Sequence, residues 1–235
     1  QGPATMYAGK TGFEHQAQLM RDASKAGVKV WLGVEVKGLS RPGAEGDPFR
    51  LNVEGMVDAD GVVSSRTVIL ATGSEEPDLD FPGSDMHGVM RSGVAQVALN
   101  VRSQLVGRRI VMVGADNTGL LIAKNLLDAG ADVIAVLEEG TRVEGREFNV
   151  VPLRQTGVEI LTSTRLIEAI GDGKLERVRT QSVDSSESTI RDIEADTLCV
   201  VRPRAPESQL GLDAGCPTLE VGILGGDVAI HDRNF

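Results

Sequence analysis

Cysteine is scarce in this sequence: there are two in 235 residues, Cys199 and Cys216, 17 positions apart. That spacing makes neither a CxxC redox pair nor a metal knuckle, and it predicts a buried thiol at each position. Histidine is nearly as rare. His15, His87 and His231 are scattered, with no i,i+4 pairing and no carboxylate cluster beside them, so no metal site is read from the sequence. Long apolar runs are missing too: none approaches the ~20 residues of a membrane helix. The opening "QGPATMYAGK" lacks the basic region and apolar core of a signal peptide. Positive charge is in deficit, with 24 Lys and Arg against 34 Asp and Glu, a net charge of −10 and a pI of about 4.9. Such a balance argues against nucleic acid or an anionic membrane surface as the main partner. There is no G-x-S-x-G elbow, no G-x-x-x-x-G-K-[ST] loop and no internal repeat. A reducing, cytoplasmic setting is the expectation.

What is present is an ordinary globular composition, 41% hydrophobic and 25% charged, long enough for one large domain or two small ones. "TGFEHQAQLMRDASKAG" spaces Phe13, Ala17, Leu19, Met20 and Ala23 as a helix that ends on Gly27. "VKVWLGVEVKGL" alternates as a strand, "FRLNVEG" as another, "DADG" as a turn, and Val62 and Val63 begin a third strand. "TVILATG" (67–73) is a continuous apolar run ending in small residues, which predicts a strand buried on both faces of a parallel sheet. "SEEPDLDFPGSDMHG" reads as a connection between domains, and 91–105 as a helix with Ser92 as a possible N-cap. Beyond it come a helix from "REFNVVPLRQTG", a strand at 158–162, a hairpin around "GDGK" and a buried strand in "EADTLCVV". The charged "LEEGTRVEGRE" reads as a solvated loop. Strands and helices alternate, the pattern of an α/β fold.

The segment "RIVMVGADNTGLLIAKNLLDAGADVIAVLE" (109–138) holds a strand, a tight turn, a helix and a second strand ending on an acid. In a dinucleotide-binding βαβ unit, the first glycine allows the turn and the second lets the backbone approach the pyrophosphate. The third lets helix and strand pack closely. Gly114 and Gly119 hold the first and third positions, and Glu138 stands 24 residues after Gly114, where an acid binds ribose hydroxyls. Asp116 replaces the second glycine. Its carboxylate faces the pyrophosphate position, points outward, or caps the helix. Glu138 favours NAD over NADP, while Arg142 leaves NADP open.

"TVILATGSEEPDLDFPG" followed by "GRRIVMVGADNTG" resembles the FAD-dependent pyridine nucleotide-disulfide oxidoreductase family, flavoproteins with two dinucleotide-binding domains. "GVMRSGVAQVALNVRSQLVGRRIVMVG" is similar to members without a redox disulfide, among them subunits of dye-linked amino-acid and opine dehydrogenases. "DTLCVVRPRAPESQLGLDAGC" is similar to the family's exit from the NAD domain, usually G-x-x-P-N. Pro206 matches the proline, whereas Pro203 and Glu207 replace the glycine and the asparagine. No glycine-rich FAD fingerprint precedes "TGFEHQAQLM", and no apolar strand leads into Gly226-Asp227.

The resemblance implies an α/β fold in which a Rossmann-like NAD(P)-binding domain (93–206) is inserted in an incomplete FAD-type domain (1–92 and 207–235), with a small antiparallel β element. It implies FAD, incompletely held by this chain, and NAD(P) as cofactors. Thr72 and Gly73 would lie near the flavin, and Gly114, Asn117, Thr118, Gly119 and Glu138 would face the pyridine nucleotide. For Thr72 and Gly73 a plain strand end is the alternative. The implied activity is hydride transfer between nicotinamide and flavin with onward electron transfer; the cofactor carries the chemistry, and no catalytic side chain stands out. The alternative is a non-catalytic or electron-relay subunit of a heteromeric dye-linked dehydrogenase that has lost nucleotide binding, motivated by Asp116 and Pro203. Expected partners are a pyridine nucleotide and a partner subunit or a second copy of the chain.

Overall fold

The structure is a computed structural model, and it describes residues 12–55, 61–183, 189–221 and 226–229. The chain divides into two compact units, Gln1–Ala71 with Ser208–Pro217 and Ala229–Phe235, and Thr72–Glu207 with Thr218–Val228. Among the described residues no helix is long and apolar enough to cross a membrane, and no three His, Cys, Asp or Glu side chains are placed to hold a metal ion.

In the first unit α1 (Gly12–Lys25) ends at Gly27, whose φ of +75° turns the chain out of the helix. A three-stranded antiparallel meander follows, β1 (Val34–Ser40), β2 (Phe49–Gly55) and β3 (Gly61–Ser65), with Val36 opposite Val53 and Leu51 opposite Val63. The "DADG" turn expected between β2 and β3 lies mostly outside the described residues. Leu39 and Val53 are buried, and a short helix, α5 (Gln209–Asp213), belongs to the same unit.

The second unit opens with β4 (Ser74–Glu75), β5 (Val89–Arg91) and α2 (Ser92–Arg102). The βαβ segment follows as β6 (Arg109–Val113), α3 (Asn117–Asp128) and β7 (Asp132–Leu137). After α4 (Glu147–Gln155) and β8 (Glu159–Leu161) come three antiparallel strands, β9 (Thr164–Gly171), β10 (Leu175–Ser182) and β11 (Ile190–Glu194). β12 (Thr197–Val200) returns to the centre, β13 (Ala205–Pro206) pairs with β4, and β14 (Thr218–Val221) pairs with β15 (Gly226–Ala229). The main sheet has the order β5-β12-β6-β7-β8, all parallel.

Both faces of that sheet are covered. Ile110, Met112, Val133, Val136 and Cys199 pack with Leu120, Ile122, Ala123 and Leu126 of α3 and with Val150 and Leu153 of α4. The intervening Val111, Ala135, Leu137, Leu198 and Val200 pack with Ala169, Leu175, Val178 and Ile193 of the antiparallel sheet. Side chains of a strand alternate between faces, so a strand with a layer on each side is apolar throughout. Burying Leu120 and Leu126 of α3 contributes about 1.5–3 kcal/mol each. On the antiparallel sheet's polar side Arg179 stands opposite both Glu168 and Asp192 and pairs with each, at 2.6 and 2.8 Å.

Four expectations are corrected. Residues 67–73 form no strand, and Ile69 is 88% exposed. A central strand needs neighbours to take its N–H and C=O groups, and no described strand pairs with this run. The strand expected from Val28 begins only at Val34, because Gly33 turns with φ of +70° and Val28, Trp31 and Leu32 lie exposed before it. Ser92 is not the cap of α2. Arg91 holds the N-cap position, and the Glu76 carboxylate accepts from the Ser92 hydroxyl (2.6 Å) and the Gly93 N–H (3.0 Å), satisfying the helix end from 16 and 17 residues away. Cys199 is buried in β12, and burial pushes its thiol up to about 12, but Cys216 is only half-buried.

Candidate functional site

β6 runs through Ile110, Val111 and Met112, all fully buried, and stops at Val113. Gly114 then turns with φ of +98°, a left-handed conformation that costs a glycine little, and its N–H donates to Leu137 C=O at 2.8 Å. A Cβ added to Gly119 would stand 2.1 Å from the Gly114 carbonyl oxygen. The helix therefore crosses the turn at a distance only glycine permits, which is the packing role of the motif's third glycine.

Asp116 is the N-cap of α3. Its φ and ψ of −75° and 179° are extended, and its Oδ1 accepts from Gly119 N–H at 2.7 Å. Of the three orientations open in the sequence, the structure takes the cap. A carboxylate there is favoured twice, by the free N–H groups and by the positive end of the helix dipole. Replacing Asp116 by alanine should cost about 1 kcal/mol of stability and replacing it by asparagine much less. Denaturant midpoints measure both, and equal midpoints for the wild type and the alanine variant would rule out the cap.

Glu138 follows the last residue of β7 and binds backbone at both oxygens. Oε2 accepts from Ala115 N–H at 3.0 Å, and Oε1 from Gly140 N–H at 2.8 Å. The loop after it carries Glu139, Arg142 and Glu144 into solvent, as read from the sequence, and its backbone also meets the turn. Gly145 N–H donates to Ala115 C=O at 2.9 Å, and Asn117 Oδ1 accepts from Arg146 N–H at 2.9 Å and from Asn149 Nδ2 at 3.0 Å. A Cβ on Gly145 would come within 2.3 Å of Leu120 Cδ1, so the loop lies directly on the start of the helix.

Gly114, Asn117, Thr118, Gly119 and Glu138 are thus gathered around one turn. The structure ties Thr72 and Gly73 elsewhere: the Thr72 hydroxyl donates to Glu207 C=O at 2.7 Å, and Glu207 N–H donates to Gly73 C=O at 3.0 Å. Pro206 pairs with Ser74 beside them, and the Arg204 guanidinium also bonds Ser74. Sequence reasoning missed Glu76, Gly145 and Asn149. A glycine eight residues from a strand end and a polar residue in a helix carry no signal of the partner they meet across the fold.

The pattern that defines the family described as pyridine nucleotide-disulphide oxidoreductase matches residues 51–227. The A subunit of opine oxidase from Agrobacterium tumefaciens (strain Ach5) is 29% identical over 172 residues, 66% of this chain and 33% of that protein. The alpha subunit of sarcosine oxidase from Rhizobium meliloti (strain 1021) is 39% identical over 70 residues, 30% of this chain and 7% of that protein. The chain thus spans a third or less of the length of these curated relatives. Among solved structures, T. acidophilum thioredoxin reductase superposes with a TM-score of 0.73 at 19% identity, covering 91% of this chain and 67% of that one, a likeness of fold. With more than half of its length inside the match, from β2 through the βαβ unit to β15, the chain belongs to the pyridine nucleotide-disulphide oxidoreductase family.

Proposed function

We propose that the chain is part of an FAD/NAD(P)-dependent oxidoreductase in which hydride passes between a nicotinamide and a flavin and electrons go on to an acceptor. The observation that carries this reading is the βαβ unit within the family match: Gly114 in a left-handed turn, Gly119 against its carbonyl, and Glu138 closing the second strand. The turn fits a dinucleotide in outline. The N–H groups of Asn117 and Thr118 have no protein acceptor among the described residues, and at the positive end of α3 they would receive a diphosphate. Glu138 would exchange its backbone partners for ribose hydroxyls. Thr72 and Gly73 are both engaged with Glu207, and two residues do not make a flavin pocket. The cofactors, when bound, supply the hydride chemistry, and the protein supplies position and electrostatics.

The relatives are named as subunits of opine and sarcosine oxidases, which supports a partner subunit for this protein as well. Oxidation of NADH by the flavin-loaded full-length protein with an artificial electron acceptor tests the main reading. Turnover in proportion to bound flavin is expected, and absence of turnover with every acceptor would overturn it.

A further inference from the structure

The pyridine-nucleotide reading makes the N–H donors of one turn decisive, and three of them, on Gly114, Ala115 and Gly119, are already satisfied from within. Gly119 N–H is held by Asp116, and Ala115 N–H by Glu138. Gly114 N–H is held by the carbonyl of Leu137, and the Ala115 carbonyl by Gly145 N–H. Two carboxylates are therefore engaged with the turn itself: Asp116 at the helix N-terminus, where a diphosphate binds in a dinucleotide site, and Glu138 at the strand end, whose oxygens would otherwise accept from ribose hydroxyls. The second carboxylate also ties the turn to the loop, because Glu138 spans from Ala115 to Gly140. Asn117 adds two further ties, to Arg146 and Asn149.

We infer that Asp116 and Glu138 form an internal anionic latch on the 114–119 turn, and that Asp116 is the residue that sets how tightly this unit takes a dinucleotide. This rests on the reading of the unit as a pyridine-nucleotide site. An incoming diphosphate must displace the Asp116 carboxylate from Gly119 N–H or bind beside a like charge at the same helix end. Either route weakens binding relative to a glycine at that position. The two contributions separate chemically. Asparagine keeps an oxygen for Gly119 N–H and removes the charge, while glycine removes both and leaves the helix end open.

The test is titration of the full-length protein with NADH, for the wild type, Asp116→Asn and Asp116→Gly, with thermal unfolding of each as the control for folding. Affinity should rise in that order, with Asp116→Gly at least about tenfold tighter than the wild type. The gap between the wild type and Asp116→Asn should narrow at about 1 M salt, where the screening length falls to about 3 Å. Equal affinity in all three proteins would overturn the latch and leave the pyridine-nucleotide site standing. No binding by any of the three up to millimolar NADH, with all three folded, would overturn the site itself and the latch with it.

Discussion

Replacing Gly119 by alanine should lower the stability of the second unit by about 2 kcal/mol, although alanine is the better helix former. The added methyl would lie 2.1 Å from the Gly114 carbonyl oxygen and 3.2 Å from Val201 Cγ2. The first contact is with backbone, which no rotamer change can relieve. The helix cannot slide away freely, because Leu120, Ile122, Ala123 and Leu126 are buried between the sheet and α4. Overpacking typically costs about 1–3 kcal/mol; a 2.1 Å contact with backbone puts this one at the upper end, and about 1 kcal/mol returns through helix propensity, which leaves about 2 kcal/mol. Gly12 is the control: as the first residue of α1 it has nothing within 4 Å of the added Cβ, so its alanine variant should be neutral or slightly more stable. Urea midpoints decide the matter. If the Gly119 variant unfolds with the wild type, the close crossing of helix and turn is wrong.

The other large effect lies further along the same helix. Leu126→Ala should cost about 2–5 kcal/mol, and Leu121→Ala less than about 1 kcal/mol. The two leucines are chemically identical and five residues apart. Leu126 is fully buried in the cluster formed with the sheet and α4, whereas Leu121 is 48% exposed. Truncation of the first removes apolar contact and leaves a cavity in a packed interior; truncation of the second removes a side chain that is already half in water and leaves no closed cavity. Parallel denaturation of the two variants measures the contrast. Equal losses would mean that α3 presents a different face to the sheet, and the parallel layer would have to be rebuilt.

Much of this was legible in the residues. The βαβ unit is a run of local regularities. An apolar strand stops at a glycine, a helix carries its leucines at three- and four-residue intervals, and a second strand ends on an acid. Each is a matter of neighbours along the chain, so α3 and β7 lie where the spacing puts them. The hairpin around "GDGK" is equally local, with Gly173 in a left-handed turn between β9 and β10. The 67–73 run failed for the converse reason. Its composition suits a buried strand, but burial is conferred by neighbouring strands and layers.

The candidate site divides along the same line. From sequence alone came the positions of Gly114, Asn117, Thr118, Gly119 and Glu138, and the presence of a carboxylate at Asp116, since turn geometry and helix start are set within a few residues. The use made of those groups depended on contacts across long stretches of chain. Glu138 meets Ala115 from 23 residues away, and Asn149 meets Asn117 from 32. A hydrogen bond between such groups exists only once the sheet has placed the strand end beside the turn. The sequence therefore determined the α/β class and the dinucleotide-type turn. Only the tertiary structure decided that Ala115 N–H is held by the Glu138 carboxylate and Gly114 N–H by the Leu137 carbonyl, because which distant acceptor reaches a donor is a property of the assembled layers and not of the order of residues.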